Sequence, residues 1–326
     1  MTRVGAALVF AVLAAAPAGA ETGGAGSTTG EPLRLARPAR DMGMGEAQAA
    51  TGTGPGAIAS NPAGLLDTRL ATLHFTHVFQ AAETRQEYLA WAQRFPFGPA
   101  LGFSIFWLYN GGTSRTLEDS NGDYAGQAGS YSVSFGAVSG AVAIDIAELT
   151  GLDILRPTAG LAVRAFSQQV DDAKNSGASA DLGLRIRPGF GFSLAAVLQN
   201  MGSRMAGAGL PRQWVVAGGW EASPLLTGSD AFSIEADLPI AQDRKGSSML
   251  GLEYAFTVGG ITLALRGGTK QGLGVPGGAG LTAGVGFRSS AGTFAWGLDY
   301  AYQPFGDLGA VQALALTAGF QPKQNL

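Results

Sequence analysis

Arg40–Leu66 reads RDMGMGEAQAATGTGPGAIASNPAGLL, and nothing later in the chain resembles it. The stretch is rich in Gly and Ala and carries little charge. It closes on Asn61-Pro62, where Asn61 can cap a short helix and Pro62 can fill its first position, since proline's missing N–H costs nothing there. Upstream, Gly43, Gly45, Gly52, Gly54 and Gly56 let backbone approach backbone, or take positive φ. Such a segment cannot bury enough apolar surface to fold alone. It needs a wall to pack against, and from Ala71 onward the chain supplies one strand after another. The stretch is therefore read as a hatch in or under a β-barrel, although composition alone also allows a flexible Gly/Ala linker.

Alternation of apolar and polar residues predicts fourteen strands of about nine residues after the hatch. Leu73, Phe75 and Phe79 oppose Thr72, His74 and Thr76 in the first, and Leu89 and Trp91 share a face of the second. The third presents Leu101, Phe103, Ile105, Trp107 and Tyr109. The fourth, over 130–138, sets Tyr131, Val133 and Phe135 against three serines. Strands five to seven fall near 158–167, 179–187 and 190–200. Later ones alternate around Trp214 and Val216, Ile234, 248–256, 261–269, 281–288, Trp296 and Leu314. An even count lets both ends of a closed antiparallel barrel meet on one side.

Connections test this independently. With strand one running outward, odd-to-even connections are mostly longer than even-to-odd ones, as a membrane barrel with short periplasmic turns requires. The longest outer connection covers 110–129. The exception is 139–157, which reads either as a short amphipathic helix at the inner rim or as a miscounted strand. Phe79, Trp91, Phe95, Trp107, Tyr109, Trp214, Trp220, Tyr300 and Tyr302 lie near strand ends, where interfacial girdles place aromatics.

Composition agrees with that class. Charged residues make up 14% of the chain, against roughly 25% in soluble domains. Mean hydropathy is +0.16, yet no stretch after residue 20 reaches the ~18 apolar residues of a membrane-spanning helix. The net charge of −3 argues against a nucleic-acid partner. Residues 1–20 read as a secretory signal: Arg3, an apolar run over Val4–Ala16, and Ala18-Gly19-Ala20 as the cleavage site before Glu21. The expected division is a signal over 1–20, a disordered lead-in over 21–37, the hatch over 38–69, the barrel over 70–320 and a tail over 321–326.

Chemistry is sparse. His74 and His77 are the only histidines, and positions three apart on a strand point to opposite faces, so they cannot share a metal ion. Gly272–Gly277 matches G-x-G-x-x-G, but Pro276 and the strand that follows make it a hairpin loop. Asp119–Asp123 looks like the front of a calcium loop without its later ligands and reads as a solvated loop. No cofactor and no enzymatic activity are expected. The polar faces instead place Arg164, Asp181, Arg185, Glu235, Asp237, Glu253, Arg266, Arg288 and Asp299 toward the lumen. Mixed signs there imply paired networks that brace a narrow interior, because unpaired buried charge is expensive. The alternative is a polar gate that the hatch and a ligand must disturb.

The pattern R-x-M-G-M-G-x-A…N-P-A-G-L, carried by Met42, Gly43, Gly45, Ala47, Asn61, Pro62, Ala63, Gly64 and Leu65, resembles the N-terminal segment of PorV/PorQ-type outer-membrane proteins. Those are relatives of the FadL-like long-chain fatty-acid transporters. The resemblance continues at Glu87–Trp91, Ser179–Ile186, Leu198–Gly202, Leu250–Phe256 and Leu298–Gly309. It implies an outer-membrane barrel in contact with lipid, with Gly43, Gly45, Asn61 and Pro62 in the hatch. It also implies one of two roles. A FadL-like protein binds or passes small hydrophobic molecules past the hatch, and expects an apolar cavity beside it. A PorV/PorQ-like protein receives or anchors exported proteins, as in type IX secretion, and expects long exposed outer loops.

Overall fold

The computed structural model describes residues 24, 26–68, 71–80, 83–96, 98–151, 154–226, 228–244, 246–272 and 280–320. The expected signal peptide, the tail and most of the Gly272–Gly277 motif lie outside the described residues.

Among the described residues, period-two patterning produces sixteen strands. The first six are β1 (Ala71–Phe79), β2 (Thr84–Arg94), β3 (Ala100–Asn110), β4 (Thr113–Glu118), β5 (Tyr124–Tyr131) and β6 (Val133–Asp145). Next come β7 (Thr158–Val170), β8 (Ala173–Gly189), β9 (Phe192–Gly202), β10 (Gln213–Ala222) and β11 (Asp230–Ala241). The last five are β12 (Ser248–Val258), β13 (Ile261–Gln271), β14 (Leu281–Ala291), β15 (Phe294–Pro304) and β16 (Ala310–Phe320). Fourteen of them pair antiparallel, neighbour to neighbour, and β1 closes on β16. Closure removes both sheet edges, so every wall strand finds partners on both sides.

The alternation sets inside and outside. On β3, Leu101, Phe103, Ile105 and Trp107 face outward and are exposed, while Ser104, Phe106 and Leu108 face the lumen and are buried. The outward faces carry an apolar band that continues through Leu182, Leu184, Trp214, Val285, Leu298 and Leu316. In a bilayer, Leu265→Arg on this band should destabilise the barrel by about 2–4 kcal/mol. Ala264, its inward neighbour, is only 3% exposed, so an arginine would overfill that site. Ala255, which borders an open cavity, is the better inward control. Equal losses for Leu265→Arg and Ala255→Arg on refolding into vesicles would contradict this inside–outside assignment.

Three expectations need correction. The loop expected over 110–129 contains a second sheet, the β4–β5 hairpin, which stands outside the barrel ladder. The fourth wall strand does not end at 138: β6 continues to Asp145, and a helical turn, α1 (Ile146–Thr150), capped by Asp145, follows it. Ala137, Ala141 and Ala143 supply its inward face, so polarity does not alternate there and the pattern faded. Its phase was also inverted: Phe135 is completely buried in the lumen, with Ala137 and Ser139 on the same side. Finally, the disordered lead-in does not extend through 37. Thr28 bridges to Gly209, Glu31–Arg34 forms a 3₁₀ turn, and Leu33, Arg34, Ala36 and Arg37 are buried.

The N-terminal segment threads the barrel. Residues 28–34 touch the β9–β10 and β11–β12 connections at the end where β1 finishes, which is also the end carrying the β4–β5 hairpin. The chain then descends through helical turns α2 (Ala39–Gly43) and α3 (Ala57–Ser60) and a 3₁₀ turn, Pro62–Asp67, before entering β1 at the opposite, short-turn end.

Candidate functional site

The lumen is asymmetric. Inward faces of β2, β3, β6 and β7 form an apolar wall of Tyr88, Phe106, Phe135, Ala137 and Phe166. Phe135 stacks on Phe166 at 5.7 Å between ring centroids, and Phe106 tilts against it at 6.0 Å. The wall from β11 to β15 is charged. Between them sits the hatch, in contact with both.

Against the apolar wall the hatch contributes Ile58, Leu65 and Leu66, and the segment above it contributes Leu33 and Ala36. The packing leaves a crevice of about 10 Å³ between Leu33, Ala36, Ile58, Tyr88, Phe106 and Arg164, room for no more than roughly one water. The apolar cavity expected beside the hatch is therefore closed by the chain itself.

Against the charged wall the hatch offers backbone. Four consecutive amides are taken up by two carboxylates of β11. Gln48 N and Ala49 N each donate to Asp237 Oδ2 at 3.1 Å, while Ala50 N and Thr51 N donate to Glu235 at 2.5 and 2.9 Å. The Thr51 hydroxyl also donates to Glu235. Arg40 reaches Glu253 at 2.9 Å, and Glu253 in turn pairs with Arg266 at 2.5 Å. Arg266 then meets Asp299 at 2.7 Å. Lys270 pairs with Glu46 at 2.5 Å. These contacts offset part of the cost of burying those charges.

At the short-turn end, Arg185 is buried and spans Asp67 Oδ2 at 2.6 Å and the Gly52 carbonyl at 3.2 Å. Arg187 also pairs with Asp67. Burial works against the charged form of Asp67, but the Arg187 and Arg185 guanidiniums outweigh it and hold the carboxyl below its usual value. That contribution is complete above the unfolded carboxyl's pKa and is lost only as pH falls through the lowered folded value.

Glycines seat the backbone. Gly45 has φ +63°, and a Cβ there would lie 2.7 Å from Thr269 N, so no side chain fits. Opposite it, a Cβ on Gly268 would overlap the Gly45 nitrogen. A Cβ on Gly160 of β7 would overlap the Ala63 nitrogen and the Pro62 carbonyl carbon. Gly43 faces Gly284 of β14 less tightly, a Cβ on either meeting the other's Cα at 3.1 Å. Asn61 is extended and its Oδ1 accepts from Ala63 N at 3.1 Å, while Pro62 opens the 3₁₀ turn. Asn61 Nδ2 also donates to Ala49 O at 2.7 Å, stitching the two halves of the hatch together.

The other inward charges take separate places. Arg164 pairs with Asp181 at 3.0 Å and donates to Asn200 Oδ1 at 3.1 Å, at a register shift between β8 and β9. Arg288 and Asp299 border a cavity of about 600 Å³ at the short-turn end, together with Arg40, Asp41, His74 and Glu253. His74 faces the lumen beside Thr76 and Thr317, whereas His77 faces out toward Glu87. Asp119 caps its own loop through Asn121 N and Asp123 N.

No family model and no curated protein matches the chain. Solved structures do. The Ralstonia pickettii toluene transporter TbuX is similar at 14% identity and a TM-score of 0.58, over 88% of this chain and 98% of that one. The Pseudomonas putida toluene transporter TodX aligns at 11% identity and a TM-score of 0.58, over 86% and 96%. A Pseudomonas aeruginosa FadL homologue aligns at 10% identity and a TM-score of 0.54, over 87% and 98%. At these identities the likeness is one of fold, and the fold is the FadL-type fourteen-stranded barrel.

Proposed function

We propose that the chain is a bacterial outer-membrane barrel that binds or passes small hydrophobic molecules, with the N-terminal hatch controlling passage. The observation that carries this reading is the aromatic wall of Tyr88, Phe106, Phe135 and Phe166 inside a closed barrel, covered by the N-terminal segment rather than by another strand. An ion-conducting lumen would gain nothing from four inward aromatics. TbuX and TodX are toluene transporters and CymD is a monoaromatic hydrocarbon channel, which makes a small apolar molecule the cargo to test first. The test is N-phenyl-1-naphthylamine fluorescence with the purified barrel. Saturable binding that falls at least tenfold in Phe135→Asp is expected. Equal binding by both proteins would refute the reading.

The β4–β5 hairpin favours a second reading, the PorV/PorQ-like one, in which the barrel receives or anchors exported proteins. Its strands are exposed, Tyr124 and Leu117 point into solvent, and it contacts the barrel side through Arg115 and Asp171. Deleting Thr113–Tyr131 separates the two readings. A small-molecule barrel keeps its probe affinity, whereas a partner-receiving barrel loses secreted protein from the cell surface.

A further inference from the structure

We propose that Thr28–Arg37 is a displaceable lid that occupies the hydrophobic-molecule site as an intramolecular competitor, latched by the ion pair Arg34–Asp243. The inference rests on the small-hydrophobic-molecule reading above and adds its regulation. Three observations carry it.

The first is what the segment covers. Leu33 and Ala36 stand against Tyr88 and Phe106, and with them in place only about 10 Å³ remains. This side-chain pair fills the space beside the aromatic wall on the side of the hairpin end. Met205 and Leu210, from the β9–β10 connection, pack on the same cluster and complete the cover.

The second is how the segment is held. Below residue 38 the hatch is fixed to wall strands by carboxylate clamps and glycine seats. Above it the segment is tied mainly to two connections outside the ladder. Thr29 N donates to Gly209 O at 2.9 Å, and Arg34 donates to Pro211 O at 3.2 Å. Both of its terminal nitrogens reach Asp243, one to each oxygen, at 2.8 Å. Thr28 adds a hydroxyl contact to Asp243 at 2.7 Å. Gln86 to the Leu35 carbonyl and Arg37 to the Ala59 carbonyl are the ties further in. The segment can therefore lift without breaking a strand pair, and the bidentate pair is its strongest fastening.

The third is the character of the latch. Arg34 and Asp243 are 8% and 7% exposed, so solvent screens their attraction little. Burial works against a charged Asp243, but Arg34 and the Thr28 hydroxyl outweigh it and hold the carboxyl well below the usual range. Mild acid therefore leaves the pair intact.

The chain has no cysteine, so Leu33→Cys gives a single reporter whose alkylation by a membrane-impermeant maleimide reads lid opening in the full-length barrel. Arg34→Ala should speed alkylation at least tenfold, with Arg34→Lys intermediate because lysine cannot make the paired contact. Saturating N-phenyl-1-naphthylamine should speed it severalfold in the otherwise unaltered barrel. Asp243→Asn repeats the measurement should Arg34→Ala fail to give a heat-modifiable barrel. An unchanged rate in these variants would overturn the latch, whether or not the probe binds. A probe that binds by fluorescence yet leaves the alkylation rate unchanged would overturn the lid. No probe binding by either the unaltered or the unlatched barrel would instead remove the small-molecule reading, even with a latch that opens as described.

Discussion

Gly160→Val will push the hatch out of its seat while leaving the barrel closed. The wall strand β7 passes so near the turn at Pro62-Ala63 that a single added carbon on Gly160 overlaps the backbone of both residues. A flexible side chain could swing away, but these are backbone atoms in a turn fixed by Asn61 and by Arg185. Overpacking commonly costs about 1–3 kcal/mol where neighbours can adjust, and more where they cannot. A loss of about 3 kcal/mol or more in hatch docking is expected, over a hundredfold in the seated-to-unseated ratio. The barrel ladder is untouched, so heat-modifiability on gels should persist while proteolysis within Arg40–Leu66 and single-channel conductance both rise. Gly140→Val, at an outward-facing wall glycine with open space around its missing Cβ, controls for adding a side chain to a wall strand and should do neither. If Gly160→Val behaves like Gly140→Val, the hatch is not seated on this wall.

Much of the barrel can be read from the chain because closure makes every wall strand repeat one rule. Leu101, Phe103, Ile105 and Trp107 alternate with smaller or polar residues, and a period of two leaves little choice of face. The rule failed where the lumen is itself apolar. On β6 both faces are apolar, so Phe135 could be placed on either, and the fourth strand stopped seven residues short of Asp145. The inward charges were legible for the converse reason, since an arginine or glutamate in an otherwise apolar strand marks the lumen side.

Partners were harder to read. Glu235 and Asp237 are expected to sit in paired charge networks, yet they meet the backbone amides of 48–51. A main-chain donor carries no side-chain signature, and nothing in Gln48–Thr51 advertises it. Arg34 and Asp243 lie 209 positions apart in the chain, and the 21–37 segment that carries Arg34 reads as disordered because its apolar content is slight. The wall glycines Gly160, Gly268 and Gly284 gave no sign either. A glycine in a strand signals a bulge or a close approach, but not what approaches it.

Glu235 makes the second large effect. It is completely buried on β11, and its carboxylate accepts from Ala50 N, Thr51 N and the Thr51 hydroxyl. Glu235→Ala leaves those three donors inside the lumen with no acceptor, and each such loss costs about 1–3 kcal/mol. Water from the short-turn cavity, which Thr51 borders, can recover part of that. A net weakening of hatch docking by about 3–5 kcal/mol is expected, against about 1–2 for Glu235→Gln, whose amide oxygen still accepts. Asp237 holds the two preceding amides, so the two acids grip one turn of chain and their losses should not add. Once Glu235→Ala has freed the turn, Asp237→Ala should cost little more, whereas independent sites would sum within a few tenths of a kcal/mol. The readouts are proteolysis within Arg40–Leu66 and single-channel conductance, both rising in Glu235→Ala while the strand ladder survives. Strict additivity in the double variant would mean that the clamps act separately. An unchanged protease pattern in Glu235→Ala would mean that the glycine seats, and not the carboxylates, hold the hatch in the barrel.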